Sequence, residues 1–395
     1  MPREFDLVVF GATGFTGRLV SEYIARSGEP VTWAIAGRNR AKLEALGLGV
    51  PIIVADALDP AAMASVAGRT KVVCTTAGPF AKYGSDLVAA CAEAGTHYCD
   101  LTGEVQWMRR MIDAHHATAT RTGARIVHTC GFDSIPSDLG TWALQQEMIR
   151  TFGKPATMVT ALFGETSGGV SGGTVASALE TMTEAAEERG VRKLLANPYA
   201  LDPDPFAERP PAPDEVSIGW DRRLKMFTIP FVMAQVNTRV VRRAHALAGQ
   251  PWGKDFVYRE VMSTPGTPRG LAMAVGITGS LAGLLFAMKR PRLREQLAKR
   301  APKPGEGPSP EVRAKGHWKV RLIGEAGPNR LVYVVADDHG DPGYASTAKM
   351  LGESALCLAR DPLTSSGGVT TPSVAMGQAL LDRLRRAGLT FEVAG

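Results

Sequence analysis

Cysteine is scarce in this 395-residue chain, and the few cysteines are not arranged for cross-linking or for metal binding. The five are odd in number and widely spaced, and no C-x-x-C pair or His/Cys cluster with zinc-like spacing occurs. These absences exclude a disulfide framework and predict a reducing compartment and no metal site. A secretory leader is also lacking, because the charged residues Arg3 and Glu4 run directly into an apolar segment. We therefore expect a cytoplasmic protein.

Acidic residues are nearly missing from residues 289–303, where seven Lys and Arg stand against the single acid Glu295. The stretch therefore carries a charge of +6, which equals the net charge of the whole chain. No recognised nucleic-acid module surrounds it and no aromatic residues interleave it, so we expect no nucleic-acid partner. An acidic carrier protein or an anionic membrane surface fits this charge better.

Charged residues are absent altogether from residues 270–288, a continuous run of 19 residues. This is close to the about 20 residues that cross a bilayer, but four glycines and four alanines make insertion marginal. Three interpretations stay open: a buried or dimer-interface helix, a membrane-surface element, or one wall of an apolar substrate tunnel. Crossing is disfavoured, because it would put two flanks of one domain on opposite sides of a membrane. We expect a homo-oligomer and a peripheral membrane contact through residues 270–303.

A glycine turn stands between the first apolar strand, residues 5–10, and the first helix. Its spacing is G-x-x-G-x-x-G, a variant of the dinucleotide-binding fingerprint at the first βα turn. Residues without a Cβ let the backbone approach a pyrophosphate, which then faces the free N–H groups and positive dipole end of the helix. The predicted cofactor-binding residues of this turn are Gly11, Thr13, Gly14, Phe15, Thr16 and Gly17.

The end of the second strand predicts which dinucleotide binds. An enzyme that uses NAD usually carries an acidic residue there for the ribose 2′-hydroxyl, but this chain has Arg38, with Arg40 behind it. A guanidinium pairs well with a 2′-phosphate, so the sequence predicts NADP(H). Asn39 and Asp56 are expected in the same crevice, although Asp56 fits a helix N-cap equally well. The turn after the fourth strand adds Ala77, Gly78, Pro79 and Phe80.

Repeated strand–helix units over residues 1–135 predict an α/β fold with a parallel sheet covered on both faces, the Rossmann arrangement. Residues 136–340 predict a mixed α/β substrate domain, in which 167–174 form a loop and 317–323 pair with 330–335. Residues 341–395 return to helices.

With these residues in view, the chain resembles the saccharopine dehydrogenase-like oxidoreductases, and most of all the actinobacterial trans-acting enoyl reductases. The most specific matches are residues 98–104 (YCDLTGE) and 130–138 (CGFDSIPSD), with further matches at 11–17, 36–38, 78–84, 171–174 and 367–372. The resemblance implies an NADP-type Rossmann domain closed by the C-terminal helices, and reduction in trans of chains carried by polyketide synthases that make lipids.

Enoyl reduction needs a proton donor and donors aimed at the thioester oxygen. The candidate catalytic residues are Tyr83 and Tyr98 as proton donors, Ser134 as an oxyanion donor and Asp133 as a proton relay. The acids of these motifs fit capping and loop-tying roles at least as well. Two other functions stay open: a saccharopine-type reductase of an amino-acid semialdehyde, which would use clustered arginines, and a non-catalytic, lipid-associated NADPH-binding scaffold.

Overall fold

A computed structural model of the chain describes residues 3–166, 172–212, 214–288, 290, 292–293, 295–296 and 307–394. The strands of these residues form two seven-stranded sheets. The first is entirely parallel, as predicted for a Rossmann domain. In order across the sheet, its strands are β13 (Gly368–Thr370), β6 (Arg125–Val127), β5 (His97–Cys99), β4 (Thr70–Thr75), β1 (Phe5–Phe10), β2 (Trp33–Gly37) and β3 (Ile52–Val54).

Helices cover both faces of this sheet because its apolar strands must be buried on both sides. Local signals set their ends. The Asp59 carboxylate accepts from two N–H groups at the start of α3, where Pro60 is the first residue, and α6 ends at Gly123, which has φ of 80°. The helices are α1 (Phe15–Arg26), α2 (Arg40–Glu44), α3 (Pro60–Arg69), α4 (Phe80–Tyr83), α5 (Ser85–Ala94) and α6 (Val105–Thr122). The next helix, α7 (Ile135–Phe152), packs against the second sheet.

The second sheet is mixed. Only β7 and β10 run parallel, whereas the other neighbours are antiparallel. The predicted pairing of residues 317–323 with 330–335 is confirmed, as a hairpin that turns at Gly327. In order, the strands are β14 (Thr390–Val393), β12 (Asn329–Asp337), β11 (Trp318–Ala326), β7 (Met158–Thr166), β10 (Val257–Pro265), β9 (Met226–Pro230) and β8 (Gly219–Asp221).

Five helices accompany the second sheet: α8 (Gly172–Glu187), α9 (Arg189–Ala196), α10 (Ala234–Leu247), α11 (Pro268–Met288) and α12 (Pro310–Ala314). The loop predicted at 167–174 is wrong for its last three residues, because 172–174 already belong to α8. The rest of that prediction, 167–171, lies outside the described residues.

The C-terminal region contains a short π-helix (Pro342–Ser346), α13 (Thr347–Arg360) and α14 (Pro372–Arg386). As predicted, these helices return to the Rossmann sheet, and α13 packs against α1 and β4. Arg383 ties them in place by bonding to carboxylates of Asp361, Glu29 and Glu353. The region also supplies one edge strand to each sheet, β13 and β14, which the prediction of helices alone missed.

Candidate active site

The glycine turn is built by close backbone contacts that no side chain would allow. Gly11 has φ of 83°, and a Cβ at Gly17 would stand 2.2 Å from the Gly11 carbonyl oxygen and 2.6 Å from Thr76 Oγ1. The turn is closed by a hydrogen bond from the Gly14 N–H to the Gly11 carbonyl, 3.0 Å long. No described side chain caps the start of α1. Its first N–H groups are therefore available to an anion, which fits a bound pyrophosphate.

The turn after β4 lies against the glycine turn, as the strand order requires. The Thr76 N–H donates to the Phe10 carbonyl at 3.1 Å, and a Cβ at Gly11 would contact the Ala77 nitrogen at 3.0 Å. Ala77 and Gly78 thus face the same crevice as Gly11. Beyond Pro79 the chain turns inward, and the Phe80 ring is buried against Trp107. The Phe80 side chain consequently belongs to the core rather than to the cofactor surface.

Glu104 holds this second turn. Its buried carboxylate accepts hydrogen bonds from the Phe80 and Ala81 N–H groups at 2.8 and 2.7 Å. Burial raises the pKa of Glu104, against the lowering effect of these two bonds and a third from Ser177. Ser177, on α8, also lies close to Gly78, so α8 borders the crevice. Sequence analysis missed this residue, because nothing in the local pattern links α8 to β4.

The residue that is predicted to bind the ribose 2′-phosphate of the cofactor lies at the surface. Arg38 is exposed at the end of β2 and has no ion-pair partner among the described residues. Arg40 faces Glu44 at 3.8 Å, and Asn39 caps α2 by accepting from the Lys42 N–H. Arg38 is thus the cation that remains available to a 2′-phosphate.

Asp56 follows the neighbouring strand β3. Its carboxylate accepts from the Leu58 N–H at 3.0 Å, whereas Asp59 caps the helix that follows. The N-cap alternative for Asp56 is therefore wrong. The exposed carboxylate stands at the end of β3, beside the end of β2, where the adenine half of a dinucleotide would lie.

Two predicted catalytic hydroxyls are already engaged inside the protein. Tyr98 is fully buried and donates to Asp100 at 2.9 Å, and burial together with this carboxylate holds its pKa well above the ordinary range. Ser134 is equally buried and donates to Asn237 Oδ1 at 2.8 Å. Because each proton has a fixed internal acceptor, Tyr98 does not fit the role of a substrate proton donor, and Ser134 does not fit that of an oxyanion donor.

Ser134 opens a buried polar network that sequence analysis missed. The Asn237 amide donates to the Glu260 carboxylate. This carboxylate also accepts from Tyr258 at 2.6 Å and from Ser137. Burial raises the pKa of Glu260 to about 7, although its hydrogen bonds act in the opposite direction. The network ties the start of α7 to α10 and β10 and so fixes the Rossmann sheet against the second sheet.

Asp133 and Tyr83 differ from Tyr98 and Ser134, because their side-chain oxygens form no hydrogen bond with a described residue. Asp133 lies in the turn between β6 and α7, is partly exposed, and makes no hydrogen bond with a described residue. Burial of the carboxyl group raises its pKa to about 6. Tyr83 is half-buried at the end of α4, with the Lys82 Nζ 5.4 Å from its ring centre. Both remain candidates for proton transfer.

An aromatic wall adjoins Asp133 on the side of the second sheet. Its members pack edge to face or stacked, with centroid distances from 4.0 to 6.2 Å. They are Phe132, Phe163, Phe231 and Trp318. Phe231 is the half-exposed member, stacked on the buried Phe163 at 4.0 Å. The other three rings are buried in the core, so Phe231 alone presents an apolar face that a ligand could reach.

The arginines of α10 serve the fold. Arg239 pairs with Asp214 at 2.5 Å and also donates to a carbonyl, whereas Arg242 and Arg243 donate only to backbone carbonyls. All three are at least 94% buried, and burial lowers the pKa of Arg243 to about 9. They therefore hold the segment around residues 195–214 in place and do not line an open anion site.

Comparisons with known proteins agree with this geometry. Residues 7–127 match the saccharopine dehydrogenase NADP-binding domain family. A trans-acting enoyl reductase of Mycobacterium bovis is 39% identical, over 98% of this chain and 97% of its own length. A Mycobacterium tuberculosis protein that carries this name provisionally is 42% identical, over 99% of this chain and 98% of its own. Saccharopine dehydrogenase (L-Glu forming) from Saccharomyces cerevisiae shares the fold, with a TM-score of 0.54 at 12% identity over 98% of this chain and 99% of that one.

The fold and the nucleotide site define an NADP-dependent oxidoreductase of the saccharopine dehydrogenase-like class, as the sequence predicts. Within that class, the sequence identity of 39 and 42% along almost the whole chain shows the family. The chain belongs to the family of the mycobacterial trans-acting enoyl reductases.

Changing Arg38 to Asp tests the cofactor assignment. The substitution removes a cation and adds an anion beside the 2′-phosphate, so we expect the dissociation constant for NADPH to rise about a hundredfold. NADH lacks that phosphate, and its binding should change little. Both constants are measured by fluorescence titration. Arg40→Asp is the matched control, since Arg40 faces Glu44. Equal losses for the two nucleotides would refute the assignment.

Proposed function

We propose that this protein is an NADPH-dependent trans-acting enoyl reductase that reduces an α,β-unsaturated acyl chain on a carrier, within a polyketide synthase system that makes lipids. The names of its relatives support this proposal. The carrying observation is the carboxyl group of Asp133, which forms no hydrogen bond with a described residue and directly follows Phe132 in the aromatic wall. A carboxyl group with a raised pKa can give the one proton that the reduction needs, and the half-exposed Phe231 ring can contact an acyl chain.

The chemistry divides between cofactor and protein. When bound, NADPH supplies the hydride for the β-carbon of the thioester, and a proton must reach the α-carbon. Asp133 is the proposed donor of that proton, because burial favours the protonated form of its carboxyl group. No described residue forms a hydrogen bond with this group. Tyr83, at the end of α4, is the second candidate. Phe231, the half-exposed ring of the aromatic wall, is the proposed apolar contact for the acyl chain.

A saccharopine-type reaction fits the site less well. Its substrates carry several carboxylates and need exposed cations in the substrate domain. The arginines that would serve, Arg239, Arg242 and Arg243, are buried and bonded to Asp214 or to carbonyl oxygens. The third hypothesis, a scaffold that binds NADPH without turnover, differs from the proposal only in activity.

Measuring the oxidation of NADPH in the presence of each candidate substrate separates the three hypotheses. We expect NADPH absorbance to fall with an enoyl thioester of an acyl carrier or its pantetheine analogue, and to stay constant with an amino-acid semialdehyde plus glutamate. Turnover with the semialdehyde alone would establish the saccharopine-type reaction. Tight NADPH binding without turnover of either substrate would establish the scaffold.

Replacing Asp133 with Asn tests the proton donor. Since the neutral carboxyl group is the active form, kcat/KM should fall as the pH rises through about 6. The variant should lose about a hundredfold in kcat/KM and this ionisation with it. Asp138→Asn is the matched control: burial raises that pKa also to about 6, but its carboxylate binds Ser373. An unchanged pH profile in the Asp133 variant would exclude this role.

Helix α11 is the proposed contact with a lipid surface. It is the one described helix long and apolar enough to cross a membrane, and its side chains stand mostly exposed, among them Val275 at 55% and Phe286 at 56%. Only its start packs against β9 and β10. Since β10 before it and β11 after it both flank β7, contact along the helix surface is favoured over crossing. Arg290, which belongs to the basic stretch 289–303, lies over the Phe286 ring at 5.0 Å, and this charge suits anionic lipid.

Vesicle sedimentation tests this contact. The protein should bind phosphatidylglycerol-containing vesicles more tightly than phosphatidylcholine vesicles. A variant with Val275→Asp and Phe286→Asp should bind about tenfold more weakly or worse, because each side chain loses its apolar burial. Val216→Asp is the control, since that valine is 78% exposed elsewhere. Equal binding of the two variants would assign α11 to another partner, such as a second copy of the chain.

A further inference from the structure

The segment that follows the basic stretch returns to the nucleotide site. Gly307 lies against the Phe15 ring so closely that a Cβ there would stand 2.5 Å from Phe15 Cε1. Tyr344, in the π-helix, meets the same ring edge to face at a centroid distance of 5.0 Å. Phe15 is the first residue of α1, directly after Gly14. Residues from far along the chain therefore border the turn where the cofactor phosphates bind.

Arg313 is the cation that this segment brings to the turn. Its guanidinium lies over the Phe15 ring, 5.3 Å from the centroid. Its carbonyl oxygen accepts from the Gly316 and Asp341 N–H groups, both at 3.1 Å, so the backbone at this position is fixed. Ser309 caps the helix α12 that carries it. Arg313 is therefore held at Phe15 by the fold.

The guanidinium has no anionic partner within the part of the chain that the structure describes. The charge of Arg313 acts on the carboxylates of Asp341 and Glu311, but neither forms an ion pair with it. The Asp341 carboxylate accepts instead from the Tyr344 and Ala345 N–H groups at 3.0 Å. A half-buried guanidinium with only a ring beneath it retains donors for a further acceptor. The uncapped N–H groups of α1 draw an anion to the same place.

We infer that Arg313 binds the pyrophosphate of NADP(H) from outside the nucleotide domain, so that α12 closes over the cofactor. Arg38 stands at the end of β2, whereas Arg313 stands at the start of α1, so the two cations serve different phosphates of one ligand. The guanidinium fork matches phosphate oxygens, and the Phe15 ring lies against it through a cation–π contact. The inference depends on cofactor binding alone and not on the identity of the acyl substrate.

The test compares ligands that share or lack the pyrophosphate. Arg313→Ala should raise the dissociation constants of NADPH and NADH by the same factor, about tenfold, which is the loss of one charge-assisted hydrogen bond. Adenosine 2′-monophosphate carries the 2′-phosphate without a pyrophosphate, so its binding should be unchanged. Arg38→Ala should give the reverse pattern, weakening NADPH and adenosine 2′-monophosphate but not NADH. Calorimetric titration of the full chain measures all of these constants.

Controls keep the result interpretable. Lys315→Ala removes an exposed cation from the end of the same helix and should leave every constant unchanged. Arg313→Gln removes the positive charge but keeps a polar side chain, and its unfolding temperature without nucleotide reports whether the fold is intact. Unaltered NADPH affinity in both Arg313 variants would overturn the inference. A loss confined to ligands with a 2′-phosphate would overturn it too, because Arg313 would then read the ribose.

Discussion

The approach of one backbone to another at the glycine turn is the constraint on which the rest of this protein depends. Gly17 packs directly beneath the Gly11 carbonyl and beside Thr76, with no room for a single carbon atom. That contact sets the start of α1 against β1 and β4 and leaves the first N–H groups of the helix without a side-chain cap. The turn after β4 lies against the same glycine turn, and Phe15 follows it as the first residue of α1. Chemistry at this site is therefore organised around a polyanion before any substrate arrives.

The arginines in the second half of the chain limit the kind of substrate that the protein can recognise. The cations of α10 are buried and bonded to carbonyls or to Asp214, so they stabilise a long connection instead of recognising a ligand. Phe132, Phe163 and Trp318 form a buried aromatic cluster, and the half-exposed Phe231 ring stacks on it. A buried carboxyl network at Glu260 then joins the two halves. These three features together favour an uncharged chain next to the nucleotide over a small, multiply charged metabolite.

Much of the Rossmann half could be predicted from local pattern, because apolar strands, glycine turns and helix starts each depend on a few consecutive residues. The role of Tyr98 could not, since the sequence shows Asp100 two residues away but not that the Tyr98 hydroxyl is fully buried and donates a hydrogen bond to its carboxylate. Ser134 was misjudged for the same reason: its acceptor, Asn237, is about a hundred residues away in the chain. Asp59, three residues after Asp56, is the residue that caps α3. The sequence alone does not show which of the two aspartates caps the helix. The parallel pairing of β7 with β10, like the approach of Arg313 to Phe15, arises only from tertiary packing.

The edge strands β13 and β14 follow every other strand of their sheets in chain order. During synthesis both sheets therefore remain open at one side until residues 368–393 have emerged from the ribosome. Until then, β6 and β12 present unpaired backbone groups, which are the surfaces most prone to wrong intermolecular pairing. Because β13 follows β7 to β12 in the chain, the nucleotide sheet cannot be completed before most strands of the second sheet have been synthesised.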